Sequence, residues 1–176
     1  MLRKHRKLAA FAGFAPLAVV MVGCTVGNGP IISAVEQAVS ESSDGQTAHV
    51  DFDLIIDGSW NQLAIVCSFT SNDEVEKALG FRWEGAPVLD ANTSTDYLVF
   101  ASDSEVLKAE SVPRGLSFCT YGDDPSDGVR IVLREQSAMT LYHDTDEGAI
   151  GDVTEWWMVD PDSVQVNREV HEFATE

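Results

Sequence analysis

Short runs of alternating apolar and polar residues, each closed by a turn signal, constrain this chain more than any other feature. A strand points successive side chains to opposite faces, so alternation marks a sheet buried on one side. "VRIVLRE" alternates throughout, with Val129, Ile131 and Leu133 set to face inward and Arg130 and Arg134 outward. "HVDFDLIIDG" places Val50, Phe52, Leu54 and Ile56 on one side and Asp51 and Asp53 on the other, and Asp57-Gly58 is a turn signal. "QLAIVCSF" reads as a buried strand, and "YLVFAS" and "EVLKAESV" read as a hairpin across Asp103-Ser104. "MTLYH" is the expected antiparallel partner of "VRIVLRE", and "TEWWMV" is the expected last strand. One helix is well marked. Ser71 and Glu74 form an S-x-x-E capping box, Val75 and Leu79 stand four apart, and Gly80 occupies the position after the last turn. Ile31, Val35, Ala38 and Val39 fall at helical spacing, a second helical segment near residues 31–41 that either packs on the domain or lies on a lipid surface. The expected class is α+β: a single small domain with an antiparallel sheet of about five or six strands and one short helix besides that segment.

The N-terminus reads as a targeting segment. "MLRKHRK" is basic, and residues 8–23 are apolar and uncharged. That run falls short of the ~20 residues a spanning helix needs, but suits the apolar part of a signal peptide. It ends in "MVGC", residues 21–24, which resembles the lipobox of bacterial lipoproteins, with Met21 where Leu is usual. The resemblance implies that the Cys24 thiol receives a diacylglyceryl group and that residues 1–23 are removed. Cys24 then tethers the protein to the cell membrane on its extracytoplasmic face. The expected layout is a signal peptide over 1–23, a lipidated cysteine, tether and helical segment over 24–47, a globular domain over 48–165, and an acidic tail over 166–176.

Cysteine usage agrees. An exported protein with three cysteines needs a reason for the odd one, and lipid on Cys24 supplies it. Cys67 and Cys119 are then free to pair in an oxidising compartment, or else remain two buried thiols. A bridge closing a loop of roughly 50 residues stabilises by about 4 kcal/mol on the chain-entropy account.

Charge narrows the partners. The formal net charge is −18, and the first acid in the chain is Glu36. Losing Arg3, Lys4, Arg6 and Lys7 with the leader leaves seven basic residues against 29 acidic ones, a net −22. Such a chain repels phosphate backbones, so nucleic acid is excluded as a partner. A basic partner or an envelope protein or ligand fits better.

No catalytic motif stands out. His143 ends a strand beside Asp144, which is positioned to orient it, but no G-x-S-x-G elbow is present. Carboxylates are too abundant for any pair to single out a hydrolase. "DTDEGAIGDVTE" sets Asp144, Asp146, Asp152 and Glu155 at positions 1, 3, 9 and 12 of a calcium-loop pattern. Ala149 replaces the glycine of the sharp turn, and a strand pattern leads into the run. Calcium is therefore the only cofactor suggested, against a plain reading of a solvated acidic loop with no cofactor. Arg130 and Arg134, with Lys108 and Tyr142, make an expected basic and aromatic face. Trp156 and Trp157 cannot both point inward from one strand, so one of them marks a binding surface.

"WNQLAIVCSFTS", "VEKALGF" followed by Trp83, "YLVF" and "VPRGLSFC" are similar to a set of small uncharacterised bacterial lipoproteins. The match covers residues 60–119. It implies an envelope location and a compact α+β domain, and no activity. The sequence reading is a lipid-anchored binding or scaffolding module, with a calcium-stabilised domain or a small carboxylate hydrolase as alternatives.

Overall fold

The computed structural model describes residues 29–89, 94–119, 128–147 and 153–164. Cys24, Asp152, the leader and the acidic tail lie outside the described residues.

The elements run in the order α1 (Pro30–Ser40), β1 (Thr47–Asp51), α2 (Phe52–Ile55), β2 (Gln62–Val66), α3 (Asn72–Leu79), β3 (Tyr97–Ala101), β4 (Val106–Ser111), β5 (Leu116–Ser117), β6 (Val129–Leu133), β7 (Ala138–Glu147) and β8 (Val153–Val159). Short 3-10 turns follow β6 at Arg134–Gln136 and β8 at Pro161–Ser163. The class is α+β, as expected, but the described strands form two four-stranded sheets rather than one sheet of five or six. The first has the order β1-β7-β8-β5 and the second β4-β3-β2-β6. Every pairing is antiparallel except β5 with β8.

The central strands of the second sheet, β2 and β3, are buried on both faces, which explains why "QLAIV" carries no polar alternation. Leu63 and Ile65 of β2 join Leu98 and Phe100 of β3 in the main core, with Val50, Met139, Leu141 and Val159 of the first sheet. Ala64 and Val66 point the other way and pack with Val75, Ala78 and Leu79 of α3 and with Trp83. Two-sided burial also corrects the reading of "VRIVLRE". Ile131 and Val132 are both buried, and Arg130, across from Ile65, shares a face with Val132.

Two further expectations are overturned. "MTLYH" does not pair with "VRIVLRE": β6 pairs with β2, while β7 pairs with β1 and β8. The 3-10 turn at Arg134–Gln136 separates the two runs and sends β7 into the other sheet. "HVDFDLIIDG" is not one strand either. Asp51 accepts a hydrogen bond from the Asp53 amide and caps the single turn α2, so Phe52 stays buried while Leu54 is 82% exposed. A short polar side chain that bonds its own backbone two residues on competes with the ladder, and here it wins.

The local helix signals hold. Ser71 accepts from the Glu74 amide, Glu74 reaches back to the Ser71 amide, and Gly80 closes α3 at φ 80°. Cys67 and Cys119 form a disulfide with Cα atoms 5.7 Å apart, tying the end of β2 to the segment after β5. α1 is part of the fold, since Ile31, Ile32 and Val35 lie in the main core. The folded unit therefore begins upstream of residue 48, the expected boundary. Gly29 offers α1 no side-chain cap, and Glu110 of β4 takes that role. Its carboxylate accepts from the Ile31 amide at 3.1 and 3.3 Å and from the Ile32 amide at 3.0 Å.

Candidate functional site

The residues singled out for binding or chemistry separate into three places. Arg134 belongs to none of the surfaces proposed for it. It donates through Nε to Asp53 and through Nη1 to the carbonyls of Gly58 at 2.7 Å and Trp60 at 3.2 Å. Its guanidinium carbon lies 5.1 Å from the centre of the Trp60 ring. A planar fork that satisfies two carbonyls and a carboxylate while stacking on an indole is a structural clamp. Lys108 sits on β4 and Arg130 on β6, the two opposite edges of the second sheet, while Tyr142 lies in the first. The expected basic and aromatic face is thus not assembled.

The second place is the inner face of the first sheet near the β7–β8 register. His143 pairs across from Trp157, their rings 5.2 Å apart and inclined by 35°. The His143 Nε2 is 4.0 Å from Glu155 Oε2, with side-chain exposures of 21% and 68%. Asp144, expected to orient His143, falls on the other face, across from Trp156. His143 and Glu155 face each other at the sheet surface, and among the described residues they belong to no cluster of three or more His, Cys, Asp or Glu side chains. Trp157 packs half-buried against the core with Leu116, its partner on β5.

The third place is the outer face of that sheet. Alternation sends Trp156 there, with Asp144 across from it and Tyr142 across from Met158. The Tyr142 hydroxyl approaches Met158 Sδ at 3.8 Å, and all three large side chains are half-buried. His49 and Thr140 continue the face onto β1, with His49 Nδ1 3.1 Å from Thr140 Oγ1. Trp156 and Trp157 take opposite faces of the sheet, and both are half-buried. Met158 and Thr140 were missed, although period two along each strand marks them. Beside β1, an open groove of about 250 Å³ is lined by Ala34, Ala38, Val50, Leu54 and Ile55, with Glu41 and Asp51 at its margin.

Of the calcium-loop residues, Asp144 and Glu155 do not converge. The two ends of the run lie in an antiparallel pair of strands, with Thr145 across from Glu155 and Asp144 across from Trp156, so Asp144 and Glu155 point to opposite faces. Asp146 pairs with Thr154 in the same register. Among the described residues no group of three or more His, Cys, Asp or Glu side chains is placed to hold a metal ion.

Two carboxyl groups are held on the acidic side of their ordinary range by local donors. Asp44, in the loop between α1 and β1, is lowered chiefly by the Thr47 amide, then by the Gln46 amide and the hydroxyls of Thr47 and Ser42. Glu74 is lowered by the Ser71 hydroxyl and then the Ser71 amide, the capping box itself. Both are structural rather than chemical sites. No protein-family model, no curated protein and no solved structure matches the chain.

Proposed function

We propose that this is a lipid-anchored protein of the cell envelope, held to the extracytoplasmic face of the membrane through Cys24, whose domain binds or scaffolds another envelope component. The observation that carries the reading is the Cys67–Cys119 bridge. It leaves Cys24 as the odd cysteine, behind a basic and apolar leader and within "MVGC". A disulfide suits an oxidising compartment, and lipid attachment accounts for the remaining thiol.

Binding rather than catalysis is supported by the side chains at the surface. His143 meets one carboxylate at 4.0 Å, whereas Tyr142, Trp156 and Met158 present a half-exposed aromatic and thioether ladder on a sheet face. Aromatic and Met side chains are the residues enriched where partners dock.

Intact mass of the protein extracted from native membranes tests the anchor. The expected mass is that of residues 24–176 plus a diacylglyceryl group, and reduction is expected to add two hydrogens. Cys24→Ser is expected to release the protein from the membrane or to leave an uncleaved precursor. A variant that fractionates and migrates like the wild type refutes the anchor.

A further inference from the structure

Gly29, the first described residue, is pinned. Its backbone packs so tightly on the Glu110 carboxylate that a Cβ there would collide with it. The same carboxylate holds the Ile31 and Ile32 amides, and Lys108 Nζ lies 3.6 Å from it. The chain therefore leaves the folded domain at a fixed point, beside the edge strand β4 and marked by one amine.

That point lies very close in sequence to Cys24. The five residues from Cys24 to Gly29 reach at most about 18 Å even when fully extended. A globular unit of this size has a radius of gyration of about 14 Å, hence a diameter of roughly 36 Å. A leash no longer than the molecular radius keeps the exit point in the half of the domain nearer the lipid. Resting on the reading of Cys24 as the anchor, we propose that the protein is biased in orientation, with the N-terminal end of α1 and the β4 edge in the half of the domain that faces the bilayer. The partner of this surface is the lipid headgroup layer itself. α3 packs against β2 and β6, toward the edge of the second sheet opposite β4, so it lies farther from the exit point than β4 does. Whatever binds the protein must do so within a shallow layer above the membrane.

The chain supplies its own reporters. Beyond residue 24 its lysines are Lys77 and Lys108. Lys108 stands at the exit point, 38% exposed by its side chain, and Lys77 lies exposed in the last turn of α3. The full lipid-bearing protein is reconstituted into vesicles of phosphatidylcholine and phosphatidylethanolamine and treated with a short amine-to-amine cross-linker. Yields at each lysine are normalised to acylation by a soluble reagent. Lys108 is expected to couple to the ethanolamine headgroup several-fold more than Lys77. An insertion of about twelve Gly/Ser residues after Val26 adds about 40 Å of reach and is expected to bring the two yields together. Equal yields without the insertion, a preference for Lys77, or a preference that survives the insertion each overturn the orientational bias while leaving the anchor standing. A protein whose mass shows no diacylglyceryl group overturns both.

Discussion

At the scale of single residues, the chemistry of this protein lies in how charged groups are spent on backbone. Arg134 alternates with apolar neighbours and so reads as solvent-facing, yet its planar fork closes the space between Asp53, Gly58 and Trp60. No pattern in "VRIVLRE" encodes that, because the groups it meets lie more than 70 positions away. Arg134→Lys keeps the charge and loses the fork and the stacking. The expected cost is about 1–2 kcal/mol in urea unfolding, and an unchanged midpoint refutes the clamp. Asp44 shows the opposite case, a site built entirely from its neighbours. Its oxygens accept from the amides of Gln46 at 2.8 Å and Thr47 at 2.9 Å and from the hydroxyls of Ser42 and Thr47, around Gly45 at φ 65°. The folded carboxyl is depressed below its ordinary value of 3.8. Its stabilising effect is therefore complete above that value and fades as pH falls through the folded one. Asp44→Asn is expected to lower the unfolding midpoint at neutral pH and to converge on wild type in strong acid. A gap independent of pH refutes the assignment.

Elements were legible where their signals are local. Ser71, Glu74 and Gly80 mark both ends of α3 because caps act within one turn. Strand partners are not local. Either sheet offers an apolar face to β7, and its true neighbours β1 and β8 are set by the 3-10 turn after β6. The β1 boundary was hidden for a related reason: Val50 and Phe52 keep strand spacing while Asp51 has already turned the chain. The same limit governs the acidic run. Counting along the chain aligns Asp144, Asp146, Asp152 and Glu155 with a loop, but pairing β7 to β8 sends Asp144 and Glu155 to opposite faces. Calcium ligands must converge within about 2.3–2.6 Å of one ion. Added calcium is therefore expected to leave the melting temperature unchanged, and chelator likewise. A calcium-dependent rise that chelator reverses refutes this reading of the ribbon.

At the scale of the whole molecule, the two sheets and α1 share one core, and no part of it is complete alone. The boundary expected near residue 48 follows the start of strand alternation in "HVDFDLIIDG", and the segment before it offers only a small apolar face. What made α1 part of the domain is the distant Glu110, whose carboxylate satisfies amides that Gly29 cannot cap. With its first turn held, α1 buries Ile31, Ile32 and Val35 completely. Each buried aliphatic side chain contributes about 1.5–3 kcal/mol, so the three together contribute about 5–9 kcal/mol. That is comparable to the entire stability of an ordinary domain, about 5–15 kcal/mol. A chain starting at residue 48 also uncovers the apolar residues of β1 and its neighbours, which then face water. It is expected to lose its cooperative unfolding transition, whereas a chain starting at residue 29 retains it with an unchanged midpoint. If the shorter chain unfolds cooperatively near the wild-type midpoint, α1 is an appendage rather than a wall of the core.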